Sequence, residues 1–169
     1  MKAMSLATAV AAVVLSGCAA SPEQISCLQP NRRVEIEMSG IKLKPPPKNK
    51  PKAKPGRQSV VLKANVQGDH AWDHGKAVLK SDGKKEIDKL VNLATKGTRR
   101  DKRPTKVGSV ILTGHSDAVE VESGLANLDE QRAQAVKDYL VSKGVAPKLI
   151  YWQGSDAKKP MPVTKFCGS

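Results

Sequence analysis

The chain has 169 residues, enough for one core of ordinary size, and carries 29 Lys and Arg against 16 Asp and Glu, a net charge of +13. Aromatic residues make up only 3%, so the core must be aliphatic, and the exposed Phe and Tyr platforms that stack single-stranded nucleic acid are nearly absent despite the basicity. No G-x-S-x-G elbow, phosphate loop or paired acids with a glycosidase role occur, which leaves an enzymatic reading and a cofactor little to stand on.

Residues 1–17 open with Lys2, run apolar from Leu6 to Leu15 and end in Ser16 and Gly17 before Cys18. The apolar run is too short to span a bilayer and has the order of a secretion signal; a buried N-terminal helix is the plainer alternative. Leu15-Ser16-Gly17-Cys18 resembles a bacterial lipobox. That resemblance implies cleavage before Cys18, acylation of Cys18, a tether over residues 18–26 and, because Ala19 rather than Asp follows, sorting to the outer membrane. Several acyl chains would hold the protein firmly, at about 0.8 kcal/mol per buried CH₂. Outside the cytoplasm no nucleic-acid partner is expected. With Cys18 acylated, Cys27 and Cys167 form an even pair in an oxidising compartment, and a disulfide between them is predicted, with two buried thiols as the alternative.

Within 27–41, Val34, Ile36 and Met38 alternate with Glu35 and Glu37, as in a strand with one buried face. Arg32 and Arg33 stand at its start and read on their own as a solvated pair. Residues 42–58 are rich in Lys and Pro without an acid, the composition of an extended, self-repelling linker. It can serve as a spacer, or lie on anionic headgroups or acidic glycan, where each Lys is worth up to about 1 kcal/mol. A second strand begins at Ser59, and Ile87, Leu90, Val91 and Ala94 mark the apolar face of a helix that closes at Lys96 and Gly97.

Val107, Val110, Ile111 and Leu112 predict a central strand stopped by Gly114, with Ser116 and Asp117 just past its carboxyl end, where open α/β sheets tend to bind ligands. A second helix is expected from an N-cap at Asp129 to a stop at Gly144, with Arg132, Val136, Tyr139 and Leu140 on one face. An arginine on an apolar stripe needs a partner, and Asp117 is the first candidate. The two either form a structural ion pair or stand apart and hold the two ends of a zwitterion. A last strand at Leu149 brings Tyr151 and Trp152 to the sheet, one of them in the core. His70, Asp73, His74 and His115 can be drawn as a metal site, but His70 and His74 span a strand end rather than a helix turn, and no metal is expected.

The segment GHSDAVEVESGLANLDEQRAQAVKDYLVSKGV resembles the core of the OmpA-like peptidoglycan-binding domain, whose motif runs roughly T-D-x-x-G-x-x-x-Y-N-x-x-L-S-x-x-R-A-x-x-V. The spacing from Asp117 through Leu128 to Arg132, Ala133 and Val136 fits without a gap. The resemblance implies that Asp117 binds the amine and Arg132 the carboxylate of the diaminopimelate residue in peptidoglycan stem peptides, with Ser116 adding a hydrogen bond. Trp72 and Asp73 replace a common Phe-Asp, while Glu120, Gly124 and Leu125 stand where the family has Gly, Tyr and Asn. These departures put the shape of the loop and the affinity in question more than the fold.

CLQPNRRVEIEMSGIK resembles the last strand of that domain, yet here it comes first, while PVTKFC, which precedes it in the family, ends the chain. The resemblance therefore implies a circular permutation, with 27–41 as the displaced last strand, 42–58 as the splice and 59–169 as the remainder. It also makes Arg32 a candidate second ligand to the carboxylate. The expected architecture is α+β, a two-layer sandwich of about four strands in a mixed sheet with two main helices. The expected function is that of a lipid-anchored outer-membrane protein that faces the periplasm and binds peptidoglycan non-covalently. The alternative is an envelope module of the same fold that contacts lipid or a protein partner instead.

Overall fold

The computed structural model describes residues 20–43, 58–125, 127–155, 158–161 and 163. The predicted signal, Cys18, most of the linker and Cys167 lie outside the described residues.

The alternation at 34–38 becomes β1, Arg33–Lys42, with Val34, Ile36 and Met38 fully buried and the intervening Glu35 and Glu37 half-buried on the other face. A short helix, α1 (Pro22–Cys27), leads into it, started by a reciprocal capping box between Ser21 and Gln24. β2 (Ser59–Gln67) pairs antiparallel with β1 over Arg33↔Gln67 to Ile41↔Ser59, so the Lys/Pro-rich stretch connects two adjacent strand ends. β3 (Thr105–His115) lies antiparallel on the other side of β1, and β4 (Ile150–Gly154) pairs parallel with β3. The sheet order is β2-β1-β3-β4, a mixed sheet with β1 in its interior.

Two helices pack on one face. α2 (Ser81–Lys96) buries Ile87, Leu90 and Ala94 and ends at Gly97, whose φ of 73° suits a helix stop. α4 (Leu128–Ser142) buries Leu128, Ala133, Val136 and Leu140 and closes beside Gly144 at φ 90°. Between β3 and α4 sits α3 (Ala118–Glu122). The fold is α+β, with the aliphatic core between sheet and helices, as the composition requires. None of the described helices is long and apolar enough to cross a membrane.

Four expectations about local structure are corrected. The cap of α4 is Asn127, in the left-handed region at φ 60°, and Asp129 lies inside the first turn, 4% exposed. That depth is possible because Gly114 and Gly154 are cross-strand partners: a Cβ on Gly114 would come within 1.9 Å of the Asp129 carbonyl oxygen, and one on Gly154 within 2.1 Å of its carboxylate. Gly114 therefore does not stop β3, which runs on to His115, but lets the helix settle against the sheet. Of the aromatic pair on β4, neither joins the core: Tyr151 is 62% and Trp152 39% exposed. β4 is a five-residue edge strand of which only Ile150 is covered, and the Trp152 ring is faced by Lys137 Nζ at 3.5 Å. The buried indole is Trp72, whose Nε1 donates to the Val66 carbonyl at 3.0 Å. Finally, Arg32 and Arg33 are not a solvated pair but are both buried.

Candidate functional site

The carboxyl end of β3, the start of β1, the loop from Gly68 to Lys80 and the first turns of α3 and α4 converge on one polar cluster beside Trp72. Asp117 caps α3: its Oδ1 accepts from Glu120 N at 2.8 Å, and Glu120 Oε2 accepts from Asp117 N at 3.2 Å. This capping box turns the Glu120 side chain back toward the end of β3. There it meets Arg132, which α4 projects into the same space.

Arg132 Nη1 donates to Glu120 Oε2 at 2.7 Å and Nη2 to Glu120 Oε1 at 2.6 Å, a two-pronged pair with both side chains fully buried. The other donors of the guanidinium go to backbone carbonyls: Nε to Lys76 at 3.1 Å, Nη1 to His115 at 3.4 Å and Nη2 to Asp73 at 3.4 Å. The Arg132 Cζ lies 5.8 Å from the centre of the Trp72 ring. Burial pushes the Glu120 carboxyl up, but the Arg132 hydrogen bonds and charge, with the backbone N–H groups of Gly75 and Asp117, outweigh it and hold Glu120 below its ordinary value. Glu120 is therefore ionised in the folded protein at neutral pH.

Asp117 has a different cation. Arg32 Nη1 donates to its Oδ2 at 2.8 Å and to the Ile25 carbonyl at 2.9 Å, while Nη2 donates to Asp69 Oδ1. Asp117 and Arg132 thus stand apart, and neither pairs with the other in the way a simple structural ion pair between them would require. Ser116 is buried beside them at 3% exposure. Arg32 faces the acid rather than Arg132, so in this arrangement it is a partner of Asp117 and not a second cation on one carboxylate. Arg33 reaches Glu35 at 2.9 Å and the Lys159 carbonyl at 3.0 Å, outside the cluster.

His74, 29% exposed, covers the two acids, with Nδ1 3.6 Å from Glu120 Oε1 and 3.9 Å from Asp117 Oδ2. These three residues bring candidate ligand atoms within 4.8 Å of one another, the one such group among the described residues. A cation there would sit against Arg32 and Arg132, which already neutralise both carboxylates, so the donor set does not suit a metal. Neither His70 nor His115 belongs to it. The arrangement can bind or release charged groups; it presents no nucleophile activated by a base.

The structure places Asp117, Ser116, Arg32 and Arg132 in one cluster, together with Glu120, Asp69 and Trp72, whose part there the sequence reading does not anticipate. The signal for Glu120 was present: Asp117-Ala118-Val119-Glu120 has the spacing of a capping box, which predicts a glutamate folded back on its own cap.

Residues 71–165 match the OmpA family. The chain belongs to the OmpA family. This OmpA-family chain is 31% identical over 120 residues to outer membrane protein A of Bordetella avium, covering 71% of the chain and 57% of that protein. It is 36% identical over 89 residues to outer membrane protein A of Serratia marcescens, covering 53% of the chain and 23% of that protein. Among solved structures it is similar to the OmpA-like domain of FopA1 from Francisella tularensis, with 26% identity, a TM-score of 0.42 and coverage of 54% of the chain and 57% of that one. The chain thus spans little more than half of the first of these relatives and less of the second. β1 and β2 both precede the matched residues.

Proposed function

We propose that this OmpA-family chain is an outer-membrane lipoprotein, anchored through acylated Cys18 and facing the periplasm, that binds peptidoglycan non-covalently through the diaminopimelate of its stem peptides and ties membrane to wall. Asp117 accepts the ligand ammonium and Arg132 clamps its carboxylate, with Ser116 beside them and Arg32 balancing the acid. The observation that carries the reading is the separation of an acid and an arginine at the carboxyl end of β3 in an OmpA-family domain, each held by its own partner. A zwitterion with both groups at fixed spacing is the ligand such a pair recognises. Binding makes and breaks no covalent bond.

The order of strands supports a permuted domain. β1 lies antiparallel beside β2, joined by the basic linker, and the matched family segment starts only after both. A bridge from Cys27 to Cys167 would tie the two ends of such a chain together. In support, Met161 N donates to Asn31 Oδ1 at 2.6 Å and Arg33 Nη2 to the Lys159 carbonyl, which bring the last described segment beside the start of β1.

One observation favours the second reading, an envelope module that keeps the fold and contacts lipid or a protein partner: both site residues are fully buried and already paired. Titration of the full chain with a diaminopimelate-containing muropeptide and with its lysine-containing counterpart separates the two. Saturable binding of the first alone supports wall recognition; no binding of either, with an intact fold, supports the second reading.

A further inference from the structure

Arg132 has five N–H donors, and all five are engaged. One goes to Lys76, one each to the carbonyls of His115 and Asp73, and two to Glu120. The three backbone carbonyls hold the guanidinium in place, so the two donors aimed at Glu120 form the one exchangeable face. Glu120 is equally satisfied: Oε1 accepts from Arg132 and from Gly75 N at 2.9 Å, and Oε2 from Arg132 and from Asp117 N. Its carboxylate is bound as a ligand carboxylate would be, by a fixed fork and two backbone amides.

The element that carries Glu120 is built lightly. α3 has five residues, and beyond it Ser123, Gly124 and Leu125 are exposed, with Gly124 at φ 71° and nothing within 4 Å of the place a Cβ would take. Arg132, by contrast, is fixed on a fifteen-residue helix packed across β3 and β4. If the pair opens, the glutamate moves and the arginine stays.

We propose that Glu120 is an internal occupant of the carboxylate subsite: it fills Arg132 in the free protein and is displaced when an external carboxylate arrives, so that it sets the affinity and specificity of the site. The occupancy of Arg132 stands on geometry alone; that the displacing carboxylate belongs to diaminopimelate rests on the function proposed above. A ligand that offers only a carboxylate cannot compete with a tethered one of the same chemistry. A ligand must bring a second group, such as an ammonium for Asp117, to win the exchange.

The test is chemical rescue in the full chain, with acetate as the probe. Glu120→Gly empties the fork, and acetate against chloride at constant ionic strength should raise the melting temperature of this variant by several degrees. Wild type and Glu120→Gly combined with Arg132→Met should not respond. Diaminopimelate stem peptide should then bind Glu120→Gly about tenfold or more tightly than wild type. An equal acetate response in wild type and Glu120→Gly, or a stem peptide that binds wild type as tightly as the variant, overturns the proposal. The expected acetate pattern with no stem-peptide binding by any variant upholds the occupancy and overturns the diaminopimelate reading instead. Should Glu120→Gly fail to fold, Glu120→Gln keeps the fork filled by a neutral amide. Severalfold tighter binding is expected of it, and unchanged binding overturns the proposal.

Discussion

Glu120 and Arg132 meet as a closed fork, with two N–O distances of 2.6 and 2.7 Å at a depth where neither side chain reaches solvent. Removing one partner strands the other charge in the interior. Glu120→Ala should therefore lower stability by about 3–5 kcal/mol, and Glu120→Gln, which leaves an acceptor on the guanidinium, by clearly less. Urea unfolding of the three proteins measures the difference; equal midpoints would mean that the pair is open in solution.

Acid should weaken the fold in two stages. His115 is 1% exposed, and burial, aided by the Arg33 charge, lowers its ionisation below the ordinary 6.5. The unfolded chain then binds a proton that the folded chain refuses, so stability falls as pH drops through 6.5 and below. Glu120 is also held below its ordinary value of 4.5, so its contribution is present above that pH and is lost as pH falls beneath it. Unfolding free energy measured from pH 8 to 3 should show both declines. His115→Gln should flatten the first and Glu120→Gln the second; parallel curves for all three proteins would refute the assignment.

Two glycines let α4 approach the sheet. Gly114→Ala or Gly154→Ala drives a methyl group into Asp129, and each should cost about 1–3 kcal/mol through displacement of the first turn of α4. Gly108→Ala, where the nearest atom is 3.7 Å away, serves as the control and should be tolerated. Because Arg132 stands one turn beyond Asp129, the two damaging substitutions should also weaken ligand binding. Thermal unfolding paired with muropeptide titration reads both effects.

The two tryptophans report on different places. Trp72 is fully buried beside Arg132, and Trp152 lies on the open edge under Lys137. Acrylamide should quench the wild-type emission in part and that of Trp152→Phe hardly at all, whereas Trp72→Ala should lose about 3–5 kcal/mol of stability. Strong quenching of Trp152→Phe would mean that the interior around Trp72 admits solvent.

Much of this was readable without coordinates. Period-two alternation at Val34, Ile36 and Met38 and the helical spacing of Ile87, Leu90 and Ala94 reflect burial of one face, which sequence pattern reports directly. The sequence marks Arg132 as a cation in need of a partner and leaves open whether Asp117 pairs with it or stands apart; the two stand apart, and the acid on Arg132 is Glu120. The acid that reaches it depends on the direction in which a one-turn helix sends Glu120, and that direction is set by the reciprocal cap rather than by any periodicity. Asp129 was misread as the cap of α4 because Asn127 starts the helix from a left-handed backbone, a tertiary constraint at the loop. Tyr151 and Trp152 misled because an aromatic pair suggests burial, while their exposure follows from the position of β4 at the sheet edge.

Wall recognition through Asp117 and Arg132 is tested by co-sedimentation of the full chain with diaminopimelate-type sacculi. Asp117→Asn keeps an acceptor at the cap of α3 and Arg132→Lys keeps a cation near Glu120, so neither substitution needs to unfold the domain to remove its part of the site. Wild type should pellet with sacculi at both low and high salt, while both variants stay in solution at high salt. If all three pellet only at low salt, the basic residues hold the wall nonspecifically, and recognition through Asp117 and Arg132 is refuted.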